Sequence, residues 1–249
     1  MMKVIEHPSP NWNERPGGQS PDMVVIHYTG MRTGTEALER LCDPKAEVSA
    51  HYLIEEDGRI FRMVPDDKRA WHAGVSSWQG RENLNHYSIG IELVNPGHEF
   101  GYREFPGRQI SSLLDLLTDL KKRHTIPVAH FIGHSDIAPD RKTDPGELFP
   151  WKLLAKNGFG LWSDADGSDT EAIARRGDTG DIVGNLNKQL GIVGYPLNHT
   201  GSFDAATESI IRAFQAHWRP ETVSGCFDKG TAARLADIVS QIRINGERL

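Results

Sequence analysis

Apolar and polar positions alternate in short blocks along the first two thirds of the chain. Met23–Ile26 runs into His27, Tyr28, Thr29 and Gly30, a β-branched block closed by glycine that predicts a buried strand entering a loop. The period then changes, because Leu38, Leu41 and Cys42 share one helical face with Thr35 placed to cap it. Between Val48 and Val64 two apolar blocks flank Glu55-Glu56-Asp57-Gly58, the turn signal of an antiparallel hairpin. Tyr87–Val94 alternates with Ile89, Ile91 and Leu93 on one face and Gly90, Glu92 and Val94 on the other, which predicts a strand carrying one carboxylate.

Leu113, Leu116, Leu117 and Leu120 predict a helix from Ile110 to His124, with Ser112 and Asp115 as a capping box and Lys121–His124 at the negative end of its dipole. Val128–His134 reads as a strand, and Pro150–Trp162 as a short helix ending near Gly158. The following stretch is polar and acid-rich, the composition of a linker. Helical periods return in Ile182–Leu197 and Ala206–Trp218. The expected architecture is α/β: a central mixed sheet flanked by helices over residues 1–162, a linker over 163–176, and a small three-helix domain over 177–249.

Composition narrows the function. With 28 Lys and Arg against 34 Asp and Glu the net charge is −6, and the cations form no stripe suited to a phosphate backbone, so nucleic acid is not an expected partner. No run approaches the ~20 apolar residues of a membrane span. Cys42 and Cys226 are too far apart to form a disulfide framework, and are expected to be small buried residues. The first residues show no apolar core of a secretory signal.

Ionisable groups concentrate in Ile132–Gly146, a loop stiffened by Pro139 and Pro145. His27 and His134 each end an apolar strand, where side chains converge on a site. Either alone would be read as a core histidine bonded to backbone. With Asp144 they make two imidazoles and a carboxylate with room for water, the ligand set of a catalytic zinc with bonds of roughly 2.0–2.2 Å. His130 would lie about 13 Å from His134 along one strand, at ~3.3 Å per residue, and is set aside.

Glu92 in an apolar strand is a candidate general base, unless the strand is an edge and the carboxylate faces water. Lys142, two residues before Asp144, could steady an oxyanion or be a solvated loop lysine. Arg141 and Asp136 are expected to brace the loop. His51, Tyr52, Trp71, His72 and Trp78 could line a groove or belong to the core, while His7, His98, His124 and His199 are expected at the surface.

Taken in order, VIHYTG, SAHYLI, AWHAG, SIGIELVNPG and GHSDIAPDRKTDPG make Met23–Trp162 resemble the zinc-dependent N-acetylmuramoyl-L-alanine amidases of the AmpD/AmiD type, relatives of peptidoglycan recognition proteins and amidase-type phage lysozymes. The resemblance implies zinc held by His27, His134 and Asp144, with Glu92 and Lys142 as catalytic residues. The implied substrate is a peptidoglycan or muropeptide, cut between N-acetylmuramic acid and L-alanine. The remaining segment resembles a three-helix peptidoglycan-binding module: NLNKQLGIVGYPLNHTGSFDAATESIIRAFQ is followed by a second Gly-x-Phe-Asp-x-x-Thr start in SGCFDKGTAARL. AHWRPETVSG departs from that module with a longer turn.

Two alternatives stand beside this reading: a recognition protein without catalysis, whose relatives keep the fold but lack the complete metal set present here, and a zinc endopeptidase that would use the same metal to cut inside the stem peptide. A wall substrate points to the periplasm or envelope, and the missing signal to the cytoplasm.

Overall fold

The computed structural model describes residues 3–196 and 201–246. Its centre is a six-stranded mixed sheet of β1 (Val4–Glu6), β2 (Met23–Tyr28), β3 (Tyr52–Ile54), β4 (Ile60–Arg62), β5 (Ser88–Leu93) and β6 (Phe131–Gly133). The strands lie in the order β1-β4-β3-β5-β2-β6, and only β3 and β4, the expected hairpin, are antiparallel. β5 lies between β3 and β2, so the edge-strand alternative for Glu92 does not hold.

Alternation in β2 divides its side chains between two cores. Val24 and Ile26 join Ile89, Ile91 and the helix residues Leu113, Leu116, Leu117 and Leu120 on one face, while Met23 and Val25 face the other. The first face is covered by α2 (Gly107–Arg123), which packs its leucine stripe onto the sheet. Ahead of it in the chain, α1 (Gly34–Cys42) is capped by Thr33, whose Oγ1 accepts the Glu36 N–H, and not by Thr35.

The start of α2 also differs from the expectation. Pro106 precedes its first residue, and Ser112 sits inside the helix, donating to the Gly58 carbonyl at 2.7 Å. The added turn is polar and invisible to apolar periodicity; it is held by buried Gln109, whose amide donates to the Ile54 and Val94 carbonyls. Val128–His130 forms a 3-10 turn after Pro127, leaving β6 only three residues long. Two short helices follow, α3 (His134–Ile137) and α4 (Trp151–Lys156).

The second face of the sheet is covered by α5 (Asp181–Val193), α6 (Ala205–Trp218) and α7 (Lys229–Gly246). The repeated Gly-x-Phe-Asp-x-x-Thr start has a physical basis in both copies. Phe203 and Phe227 are buried, Asp204 and Asp228 each accept the backbone N–H three residues on, and so two helices begin alike. Within the stretch read as a linker, β7 (Ala172–Ala174) pairs antiparallel with β8 (Phe227–Asp228). Cys42 and Cys226 are free and partly exposed, less buried than expected. Among the described residues no helix is long and apolar enough to cross a membrane. His199 lies outside the described residues.

Candidate active site

Three neighbouring parallel strands deliver the site at their carboxyl ends. Register pairs His27 of β2 with Glu92 of β5 and Ile26 with Gly133 of β6, so His134, the next residue, opens α3 alongside His27. Asp144 arrives from the loop, fixed by its carbonyl accepting the Ser135 N–H at 2.8 Å.

The donor atoms converge. His27 Nδ1, His134 Nδ1 and Asp144 Oδ2 form a triangle with all three sides 3.0 Å, and all three side chains are buried. Ligand atoms on a tetrahedral zinc with bonds of ~2.0–2.1 Å are about 3.3 Å apart, so the triangle is close to the shape such an ion requires. Among the described residues no other His, Cys, Asp and Glu group brings three donors so close.

The outer ring nitrogens are occupied, which leaves the Nδ1 lone pairs for a ligand. His134 Nε2 donates to the Ala73 carbonyl at 3.2 Å. His27 Nε2 donates to His72 Nδ1 at 3.0 Å, His72 Nε2 to Ser88 Oγ at 3.2 Å, and Ser88 Oγ to the Leu84 carbonyl at 2.6 Å. Asn85 Oδ1 accepts the N–H groups of both His72 and Ala73 and so fixes this loop.

Electrostatics agree with the geometry. Burial, reinforced by His134, lowers the His27 imidazole to about 4, so it is neutral and able to ligate near neutral pH. Burial alone would raise the Asp144 carboxyl, but the His134 and His27 imidazoles hold it well below the usual carboxylate range. Glu92 is the opposite case: burial, then the Asp144 charge, push it well above its ordinary value, with Lys142 opposing. Its Oε2 is buried without a hydrogen-bond partner.

Glu92, Lys142 and the three donors all border one cleft of about 550 Å³. Trp71 and His72 also line it, as one reading of the sequence allowed. Tyr52, His51 and Trp78 do not: Tyr52 donates to buried Asp66, His51 lies beneath β5, and Trp78 packs against Tyr195. His130 bonds the Asp22 carbonyl away from the site. His7 and His98 are exposed, whereas His124 is half-buried and paired with Asp66.

Sequence reasoning passed over several residues of the cleft. Tyr28, in the VIHYTG block, meets Thr143 Oγ1 and His98 Nδ1 at 3.0 Å each. Arg40 of α1 and Glu99 bring charges from segments that carry no motif. Ser88 and Asn85 matter only through strand register and loop contact, which leave no local signal.

Comparison with known proteins agrees with this geometry. The family model for N-acetylmuramoyl-L-alanine amidase matches residues 17–147, and that for a peptidoglycan binding domain matches residues 179–235. The N-acetylmuramoyl-L-alanine amidase AmiD of Escherichia coli (strain K12) is 36% identical over 223 residues, covering 85% of this chain and 79% of the relative. The 1,6-anhydro-N-acetylmuramyl-L-alanine amidase AmpD of the same organism is 41% identical over 165 residues, covering 58% of this chain and 86% of the relative. Among solved structures, the complex of E. coli AmiD with anhydro-N-acetylmuramic acid-L-Ala-D-gamma-Glu-L-Lys superposes with a TM-score of 0.77 at 32% identity, covering 92% of each chain. AmpDh3 of Pseudomonas aeruginosa gives 0.76 at 32% identity, covering 91% of this chain and 94% of the other.

Proposed function

The chain belongs to the N-acetylmuramoyl-L-alanine amidase family, and from that membership we propose that it hydrolyses the amide between N-acetylmuramic acid and the L-alanine of stem peptides. In this reading His27, His134 and Asp144 hold a zinc ion, Glu92 is the general base, and Lys142 is the oxyanion partner. A bound zinc ion supplies Lewis-acid chemistry, polarising the scissile carbonyl and acidifying water. Glu92 takes the proton of the attacking water and returns it to the departing L-alanine amine as the C–N bond breaks. Burial and the Asp144 charge shift Glu92 upward, which favours its holding the proton between the two halves of that exchange. Lys142 faces the same cleft and neutralises charge on the tetrahedral oxygen.

The observation that carries the proposal is the unpartnered Glu92 Oε2 on the wall of a cleft that also holds the three convergent donors. A protein built only to bind would need neither a complete donor triangle nor a carboxylate oxygen buried without a partner. We also propose residues 1–162 as the catalytic domain, 163–176 as the connection, and 177–249 as the domain that keeps the enzyme on the wall polymer, which the match over residues 179–235 supports.

The test is mass spectrometry of products from sacculi and from anhydro-muropeptides, with and without a chelator. Release of intact stem peptides starting at L-alanine, abolished by the chelator, is expected. Cuts inside the stem would establish the endopeptidase, and unchanged substrate the recognition protein. Glu92→Gln is expected to keep the metal while kcat falls by roughly 10²–10⁴; near-full turnover would remove Glu92 from the role of base.

A further inference from the structure

Asp136 is fully buried two residues after His134, and its carboxylate joins the catalytic sheet to the helical unit. Oδ2 accepts the N–H of Gly133, the residue that immediately precedes His134, at 2.8 Å. The remaining donors come from the far end of the chain: Tyr195 Oη reaches Oδ1 at 2.8 Å, and His217 Nδ1 reaches Oδ2 at 2.7 Å. His217 is held between two indoles, with ring centroids 3.7 Å from both Trp151 of α4 and Trp218 of its own helix. Burial and the Asp136 charge push the Tyr195 phenol well above its ordinary value, so it stays a donor across the working pH range.

We propose that Tyr195 and His217 are positioning residues for the hydrolysis, acting through Asp136 to hold the Gly133–His134 turn so that His134 Nδ1 meets His27 and Asp144. A buried carboxylate must have its lone pairs satisfied, and here only one of its three donors lies in the catalytic unit. Removing a donor from the helical unit leaves Asp136 seeking another partner, and the nearest movable group is the turn that carries His134. The helical unit is therefore part of the scaffold of the metal site as well as a wall-binding module. This inference rests on the reading of His134 as a metal ligand.

The experiment uses the full-length chain, stripped of metal and titrated with zinc against a competing chelator. Tyr195→Phe removes one hydroxyl and keeps the ring, and His217→Phe keeps the stack between Trp151 and Trp218 without the N–H. Thr231→Val is the control, because it removes a buried Oγ1 that donates to Asp228 and accepts from Gln215 and Arg219 in the same unit, with no bond to Asp136. Each of the first two variants is expected to weaken zinc binding by roughly tenfold, the lower end of what losing an outer partner costs a metal site, and to lower kcat with KM unchanged. Thr231→Val is expected to lower Tm at least as much with unchanged zinc affinity. Wild-type zinc affinity in both Tyr195→Phe and His217→Phe, or an equal loss in Thr231→Val, would overturn the proposal. If wild type takes up no zinc, or His134→Ala binds it as tightly as wild type, the metal assignment fails and the positioning role with it.

Discussion

His51, one layer beneath the site, ties the stability of the fold to pH. Its Nδ1 accepts the Gly90 N–H at 3.0 Å and its Nε2 donates to the Lys68 carbonyl at 3.1 Å, so it braces β5 two residues before Glu92 without touching the donors. Burial, with the Arg15 charge next in weight, holds this imidazole at about 3. In the unfolded chain it titrates near its ordinary value of about 6.5, so between those limits the unfolded state binds a proton that the native state refuses. The sign follows: the stabilisation is complete above about 6.5 and is lost as pH falls toward 3, by about 1.4 kcal/mol per pH unit. Metal-free His51→Gln should show a shallower loss of stability on acidification than wild type in urea unfolding across that window. Parallel slopes for the two proteins would exclude His51 as the source.

At the level of strands and helices, β5 has to pass a glycine under the site. A Cβ on Gly90 would stand 2.4 Å from His72 Cγ, and the ring cannot swing aside because His27 and Ser88 hold its two nitrogens. Gly90→Ala is therefore expected to cost about 1–3 kcal/mol through overpacking and to weaken zinc binding by displacing the partner of His27. Denaturation and zinc titration that both match wild type would show that β5 can yield. This strand also marks where sequence is informative and where it stops. The alternation of Ile89, Ile91 and Leu93 is local and legible, and so are the three convergent donors, because His27 and His134 close apolar strands and Asp144 follows in a proline-stiffened loop. That Gly90 lies under His72, or that β5 is internal, depends on pairing between strands distant in sequence. The same holds for α2, whose first turn depends on Gln109 reaching two strands, and for α1, where Thr33 and Thr35 look alike until the backbone selects one.

For the molecule as a whole, the polar stretch after Trp162 suggests two independent bodies, yet the packing joins them. Met23, Val25, Ile132 and Ile137 of the sheet unit share one continuous buried cluster with Val183, Ile210, Ile211 and Phe214 of the helical unit. The contact is specific as well as apolar: Trp218 Nε1 donates to the Leu161 carbonyl at 3.0 Å, and the Gln79 N–H to the Gly194 carbonyl at 2.8 Å. Gly194 lies so close to Trp78 that a Cβ there would be 2.4 Å from the indole. From sequence, Met23 and Val25 read as buried whichever element covers them, so periodicity reveals their burial but not the cover. Separating the units would expose that whole cluster at ~25 cal/mol per Å² of apolar surface, a loss that a sheet covered by α2 on one face alone cannot absorb. The intact protein should accordingly melt in one calorimetric transition, with calorimetric and van't Hoff enthalpies in agreement. The fragment 1–162 should bind a hydrophobic dye and aggregate. Two resolved transitions, or a soluble and fully cooperative 1–162 fragment, would show that the shared cluster couples the units only weakly.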